Sequence, residues 1–263
     1  LPGADANLVG VLAKSVREQM AEVLLNTSVT GLVKARGGIR ASFEGKDAEK
    51  REQTFEKVLM AVGRVPNTQD LGLENTGVAL TEKGFIQVDA QRRTTDQAIY
   101  AIGDISGDPM LAHKASHEGI VAAESIGGAK VAFEPAAIPA VVFTDPELAW
   151  CGLTETQAKS EGREVKVARF PWAASGRAMT LDRQEGLTKL IVDPETDRIL
   201  GAGIVGPGAG ELIAEGTLAV EMAALASDLQ LTIHPHPTLS ETMMEAAESY
   251  YGFSTHIYSP KRK

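Results

Sequence analysis

At 263 residues, 43% hydrophobic but only 5% aromatic, the chain is long enough for one large core or two modest ones and has the composition of an ordinary soluble α/β protein. A formal net charge of −9 removes the electrostatic case for a nucleic-acid or anionic-membrane surface, and the Lys261-Arg262-Lys263 tail is too short to reverse it and reads as a solvated end. The single cysteine, Cys151, excludes an internal disulfide framework or a Cys-x-x-Cys redox motif, fits a reducing cytoplasm and reads as a small core residue. The longest apolar stretch, Leu218 to Ala226, is interrupted by Glu221 and too short to span a bilayer, and no signal peptide is visible.

In chain order, Leu8, Val11, Leu12, Val16 and Met20 form a helical stripe, which predicts a surface helix from Asp5 to Met20. Val23 to Leu25 and Ser28 to Lys34 read as strands, with Gly37-Gly38 turning into Ile39 to Phe43 as a hairpin. The charged stretch Gly45 to Glu56 reads as a loop or hairpin tip, and Phe55 to Val62 as a buried strand ending at Gly63. A glycine there lets the backbone approach a ligand closely; the plain alternative is that it simply ends the strand. Asn67 to Ala98 carries a short strand, Phe85 to Val88, among polar turns. The apolar strand Ile99 to Ile102 then leads into Gly103-Asp104, and Pro109-Met110 into a helical run from Leu111 to Ile126 closed by Gly127-Gly128. Strand, loop and helix N-terminus would face one site, although Asp104 would equally serve as a turn cap and His113 as a surface residue.

From Pro135 the strand signals are denser and suggest antiparallel pairing, at Ile138 to Phe143, Leu148 to Gly152, Val165 to Phe170, Leu187 to Val192 and Ile199 to Val205, with a turn at Asp193 to Asp197. Helices are predicted at Thr154 to Glu161, opened by a Thr-x-x-Gln capping box, at Gly210 to Ala226 and at Thr238 to Tyr251. This is an α+β domain with one sheet and helices against it. Gly201-Ala202-Gly203-Ile204-Val205-Gly206 matches the dinucleotide pattern G-x-G-x-x-G, but it continues a strand and Pro207 to Ala209 intervene before the helix, so close sheet packing is the expected role of its glycines.

The densest proton chemistry lies in Ile233-His234-Pro235-His236-Pro237-Thr238-Leu239-Ser240-Glu241. The prolines predict an extended strut that presents His236, and Thr238 with Glu241 forms a capping box ahead of Met243, Met244, Ala247 and Tyr251. An imidazole just ahead of a helix and a carboxylate in its first turn can meet, which would hold one tautomer and make His236 a better proton acceptor. The plain alternative is that Glu241 only completes the capping box and His236 is a turn residue. No third ligand stands near His234 and His236 to make a metal set.

Five motifs in order carry a resemblance: Ala61-Val62-Gly63-Arg64-Val65-Pro66-Asn67, Tyr100-Ala101-Ile102-Gly103-Asp104, Pro109-Met110-Leu111-Ala112-His113-Lys114-Ala115, Phe170-Pro171-Trp172-Ala173-Ala174-Ser175-Gly176-Arg177-Ala178, and His236-Pro237-Thr238-Leu239-Ser240-Glu241. Over nearly its whole length the chain resembles the C-terminal half of the dihydrolipoyl dehydrogenase family, class I pyridine nucleotide-disulfide oxidoreductases. The resemblance implies an α/β fold, the second half of a nicotinamide-binding Rossmann-like domain plus a central segment, followed by an α+β dimerisation domain with an antiparallel sheet. Its divisions would be residues 1–66, the remainder of the NAD-binding domain; 67–134, the FAD-contacting segment; and 135–263, the dimer-interface domain. It implies FAD and NAD as cofactors, with Val29 and Gly63 lining the dinucleotide, Asp104 accepting from the flavin's ribityl chain, and the N–H groups of Met110, Leu111, Ala112 and His113 facing the flavin ring. His236 and Glu241 would be the acid-base dyad, delivered to the other subunit of a homodimer, and the partners would be lipoyl domains of 2-oxo-acid dehydrogenase complexes in the cytoplasm.

The family's chemistry runs through a redox disulfide, and one cysteine cannot form it, so the chain is expected to be a fragment of a longer enzyme, inactive alone. The rival readings are another flavin disulfide reductase, of the mercuric or glutathione reductase type, and a non-catalytic dimerisation fragment. The cysteine pair typical of mercuric reductases is absent from Tyr250 to Lys263. Pro235 departs from the family, where a small residue such as Ala is more usual.

Overall fold

A computed structural model describes residue 1 and residues 3–257; the Lys261-Arg262-Lys263 tail lies outside the described residues. The chain divides into two compact units, one of residues 1–15 with residue 68 onward and the other of residues 16–67, the division falling inside helix α1 (Ala6–Gln19).

In the smaller unit, β1 (Thr27–Ala35), β2 (Gly38–Gly45) and β3 (Glu49–Phe55) form a three-stranded antiparallel sheet in that order. The predicted hairpin is present, turning at Gly37 and Gly38, both at positive φ; at Gly38 a side chain would also strike the carbonyl of Phe55. Three expectations fail. Val23 to Leu25 is not a strand, and the charged stretch from Gly45, which reads as a loop, contains β3. Charge misleads there because both faces of a small sheet meet water, so Arg51 pairs with Glu22 and Glu52 with Arg40 without any apolar alternation. Phe55 to Val62 is likewise not a buried strand: Leu59, Met60 and Val62 are exposed. An apolar run becomes a central strand only where neighbours bond both of its edges, and the sheet in this unit ends at β3.

The larger unit is built on a five-stranded antiparallel sheet, ordered β4 (Ala140–Val142), β5 (Leu148–Gly152), β8 (Ile199–Val205), β7 (Leu187–Val192), β6 (Lys166–Pro171). This is the antiparallel sheet expected after Pro135, with β5, β7 and β8 at the predicted residues. Side chains alternate across it. Ala149, Cys151, Leu190, Val192, Ala202 and Ile204 face a core completed by α5 (Ala209–Glu221) and α7 (Glu241–Tyr251) through Ile213, Ala219, Met243, Ala246 and Ala247. The opposite face presents Leu148 and Val205 to Leu8 of α1. Cys151 is a buried core residue, and burial raises its thiol pKa.

Residues 1–15 are tied to this sheet by a buried ionic cluster. Lys189 of β7 pairs with Asp5 and, at 3.0 Å, with Glu155, while the Asp5 carboxylate caps α3 (Glu155–Ser160) by accepting from the backbone N–H groups of Glu155 and Thr156 at 2.9 Å. Thr154 caps the same helix as predicted, accepting from Gln157 N–H at 3.1 Å.

The glycine pattern in β8 is a packing device. A Cβ at Gly201 would lie 2.1 Å from the Leu153 carbonyl oxygen, and one at Gly203 would lie 2.5 Å from Leu8 Cδ1, so only glycine lets these neighbours approach. The predicted helix Gly210 to Ala226 ends early: α5 stops at Glu221, Ala223 takes φ +53°, and a separate helix, α6 (Ala226–Leu231), starts where the predicted one was to end, with Asp228 accepting from the Leu225 N–H at 2.7 Å. Apolar periodicity runs through this break because both helices bury residues in one core. Phe85 to Val88 and Ile99 to Ile102 form single bridges, Leu80 to Ile86, Val88 to Thr94 and Arg93 to Tyr100, rather than strands. Helix α2 (Ala112–Ile126) appears as predicted, closed by Gly127 and by Gly128 at φ +90°. Between β6 and β7 lies the short helix α4 (Gly176–Thr180), capped by Ser175, which sequence periodicity does not reveal. Among the described residues no helix is long and apolar enough to cross a membrane.

Candidate active site

Helix α7 starts at Glu241, three residues later than the capping-box reading predicts. The reason is that only half of that box forms. Glu241 reaches back to accept from the Thr238 N–H at 2.7 Å, but the Thr238 hydroxyl turns the other way, donating to the Pro235 carbonyl at 2.7 Å and lying 2.8 Å from Ser240 Oγ. Pro235 to Ser240 is therefore a turn, with a cis His236–Pro237 peptide, rather than the extended strut predicted.

That turn brings His236 Nδ1 to 2.8 Å from Glu241 Oε1. Burial raises the Glu241 pKa, but the Thr238 N–H and the His236 ring outweigh it, with His256 adding to them, and the carboxyl lies below its ordinary value. An ionised carboxylate only accepts, so Nδ1 carries the hydrogen and Nε2, on the far side of the ring, is the proton acceptor. The His236 side chain is 70% exposed against 18% for Glu241, which presents an open imidazole on a steadied carboxylate. The helix that holds Glu241 is fixed from below. Trp172 Nε1 donates to Thr188 Oγ1 at 2.9 Å, and Thr188 donates to Thr242 Oγ1 at 2.8 Å, all three buried, so the Phe170 to Ala178 motif locks the first turn of α7 to β7.

A second imidazole-carboxylate pair, not foreseen in the sequence, borders the first. Glu245, one helical turn beyond Glu241, is buried and bonded to His256 Nδ1 and, at 2.5 Å, to the Ser254 hydroxyl. His236, Glu241, Glu245 and His256 line one small cleft with Phe170 and Ser175. The i, i+4 spacing of the glutamates is readable in the sequence, but only the return of residues 252–257 along the helix brings His256 to it.

The other predicted residues fall in two places. In the larger unit, Asp104 is exposed on a 3-10 turn, Gly103–Ser106, followed by Met110, which is buried, and by Leu111, Ala112 and His113 at the start of α2. Helix α2 has Leu111 at its N-cap, with no side chain capping it, and His113 Nε2 lies 2.7 Å from the Pro139 carbonyl. His113 also borders a cleft of about 600 Å3 lined by His117, Phe133, Pro139 and Glu221. In the smaller unit, Val29 is exposed at a bulge in β1, and Gly63, at φ +113°, has no atom within 4 Å of where a Cβ would stand.

What joins Asp104 to α2 is a buried carboxylate to which the sequence motifs assign nothing. Glu118, fully buried, accepts from the Gly103 N–H at 2.7 Å and from the Ser106 hydroxyl at 3.2 Å, and pairs with Lys114 at 3.0 Å and Arg92 at 2.8 Å. Lys114 in turn donates to the carbonyls of Gly103 and Gly107 at 3.3 and 3.1 Å. The available signal is the i, i+4 spacing of Lys114 and Glu118, which a solvated helix face explains equally well.

Burial raises the pKa of Glu118 and of Asp5, but hydrogen bonds and paired cations overcome it, Gly103, Lys114 and Arg92 for the first and Lys189 with the α3 N–H groups for the second. Both carboxyls, like Glu241, lie below their ordinary values. Their contribution to stability is present above the ordinary carboxylate range, about pH 4, and is lost as pH falls through the folded values. Chemical denaturation at a series of pH values should show stability falling steeply below about pH 4. Asp5→Asn and Glu118→Gln should each flatten that limb, and an unaltered acid limb in both variants would contradict the assignment.

Among the described residues no three His, Cys, Asp or Glu side chains gather as a metal set. Residues 1–119 match the family described as Pyridine nucleotide-disulphide oxidoreductase, and residues 138–247 match its dimerisation domain. The chain belongs to the pyridine nucleotide-disulphide oxidoreductase family. Within it, the chain is 48% identical to a dihydrolipoyl dehydrogenase of Vibrio cholerae, over all of this chain and 55% of that protein. It is also 48% identical to one of Thermus scotoductus, over 98% and 56%. Its fold is similar to that of LpdA from Mycobacterium tuberculosis, with a TM-score of 0.86 at 28% identity, covering 95% of this chain and 54% of the other. It is similar as well to the HOCl-induced flavoprotein disulfide reductase RclA of Escherichia coli, with a TM-score of 0.81 at 30% identity over 92% and 55%. The chain thus spans about half the length of the curated relatives it matches.

Proposed function

We propose that this chain is part of a flavoprotein that oxidises protein-bound dihydrolipoyl groups with NAD, and that His236 and Glu241 are its acid-base dyad. The observation that carries the reading is the 2.8 Å bond from His236 Nδ1 to Glu241 on an exposed ring. The thiolate is the reactive form of a dithiol, and a thiol with pKa near 8.5 is only a few percent ionised at neutral pH, so a positioned base is required. His236 Nε2 takes the thiol proton; Glu241 orients the ring and stabilises its charge. The dyad works on a second copy's reaction centre, which makes the enzyme a homodimer built on residues 135–263, a reading supported by the match to the dimerisation domain.

The cofactors follow from the same reading, with residues 67–134 contacting FAD and residues 1–66 belonging to the NAD-binding domain. The residues present fit both groups. A helix N-terminus without a side-chain cap supplies donors and partial positive charge at Ala112 and His113, which suits the pyrimidine side of a flavin; Met110 and Leu111 lead into it, the Leu111 N–H donating to the Pro109 carbonyl at 3.0 Å, and the exposed Asp104 places a carboxylate where ribityl hydroxyls would lie. Open space at Gly63 and the exposed Val29 suit a dinucleotide lying against the backbone. When bound, FAD would accept the substrate's electrons and pass them to NAD. Lipoyl domains of 2-oxo-acid dehydrogenase complexes are the proposed partners, and the cytoplasm the proposed location.

The test is dihydrolipoamide-dependent NAD reduction by the purified full-length gene product. A yellow, active dimer is expected. A colourless, inactive protein would overturn the enzyme reading in favour of a dimerisation module, and reduction of glutathione disulfide instead would move it to another disulfide reductase.

A further inference from the structure

His234 stands two residues before the proposed base and takes no part in the dyad. Its ring is nearly buried, with the side chain 5% exposed, and each nitrogen faces an acceptor: Nδ1 lies 2.9 Å from the Thr232 carbonyl and Nε2 lies 2.7 Å from Glu215 Oε1 on α5. The segment around it has little else to hold it. Residues 233–235 take no helix or strand, Ile233 is 95% exposed, and the His236 ring itself packs against little. Side chains therefore fix the segment from two sides, Glu241 and Thr238 after His236 and Glu215 of α5 before it.

We propose that Glu215 is a positioning residue for His236, acting through His234. A nearly buried ring held at Nε2 by Glu215, with Nδ1 against the Thr232 carbonyl, cannot rotate or slide without losing the Glu215 contact, so it anchors its own backbone to α5, a helix packed on the central sheet through Ile213 and Ala219. Only Pro235 separates that anchor from His236, and the Pro235 carbonyl is in turn held by the Thr238 hydroxyl at 2.7 Å. Without Glu215, a nearly buried Nε2 loses its partner and the ring gains by moving toward water. The segment is then held from the α7 side alone, and the direction of His236 Nε2 is no longer set.

The role rests on His236 being the base, but its geometric part is read separately from activity. In this chain the Nδ1–H resonance of His236, assigned by its loss in His236→Gln, should be strong in the wild type, weakened or averaged in Glu215→Ala and retained in Glu215→Gln, whose amide can still bond His234. In the full-length enzyme Glu215→Ala should lower kcat for dihydrolipoamide on the order of tenfold or more, with KM for NAD unchanged and most of the loss restored by Glu215→Gln. An intact His236 resonance with normal kcat in Glu215→Ala would overturn the proposal, as would loss of the signal in Glu215→Gln with His234 still bonded. A sharp His236 signal that depends on Glu215 in a full-length protein without activity would uphold the positioning and sink only the enzymatic reading. Should Glu215→Ala fail to fold, His234→Gln, which alters the same tether from its other end, must give the same loss of signal.

Discussion

His236→Gln in the full-length protein is expected to lower dihydrolipoamide turnover by roughly a hundred- to ten-thousandfold while FAD remains bound, the range a positioned general base contributes. Glutamine keeps a polar group near Glu241 but has no nitrogen that can take a proton at neutral pH. The substrate thiol then loses its proton only to water or buffer. Because His236 is exposed and packs against little, the variant should fold, dimerise and melt like the wild type, which makes turnover the discriminating measurement. Glu241→Gln should be milder in turnover, since the imidazole stays, but its amide cannot match the carboxylate in holding the Nδ1 tautomer and the Thr238 N–H together. Turnover of His236→Gln within a few-fold of wild type would remove this imidazole from the mechanism.

Glu118→Ala should be the most damaging single substitution in the central segment. It leaves Lys114, a buried cation whose side chain is 4% exposed, and the partly buried Arg92 without their carboxylate, and removes the acceptor from the Gly103 N–H. Breaking a buried ion pair by removing one partner costs about 3–5 kcal/mol. In a unit of this size each kcal/mol is worth about 2–4 °C, so calorimetry should show Tm lower by roughly 6 to 20 °C. The effect should be local as well as global, because Glu118 joins the turn that carries Asp104 to the helix that carries His113. In the full-length protein flavin release on warming should therefore precede unfolding of the five-stranded sheet. A variant with wild-type Tm would show that water reaches Lys114 and that the cluster is not buried in solution.

What is legible in the sequence follows the range of the forces involved. β5, β7 and β8 are readable because each is a short, mostly apolar run bounded by turn residues, the pattern of a strand buried on both faces, and α2 because its glycine stop and apolar period are local. The His236–Glu241 pair is readable because its members are five positions apart and a single turn joins them. Failures come where a partner far along the chain decides the outcome. Residues 55–62 look like a central strand, yet a strand exists only through neighbours that bond it. Charged β3 looks like a loop because a sheet wetted on both faces needs no apolar alternation.

The amino-acid order by itself thus determined which short apolar runs become β5, β7 and β8, that α2 stops at its glycines and that His236 has a carboxylate within reach, since each depends on contacts a few residues long. Only the tertiary structure decided that Glu118 holds Gly103, that Asp5 caps a helix 150 residues away, that His256 returns to Glu245 and that Glu215 tethers His234. Buried charge must be compensated by whichever opposite charge the fold brings to it, and no local pattern records which one that is.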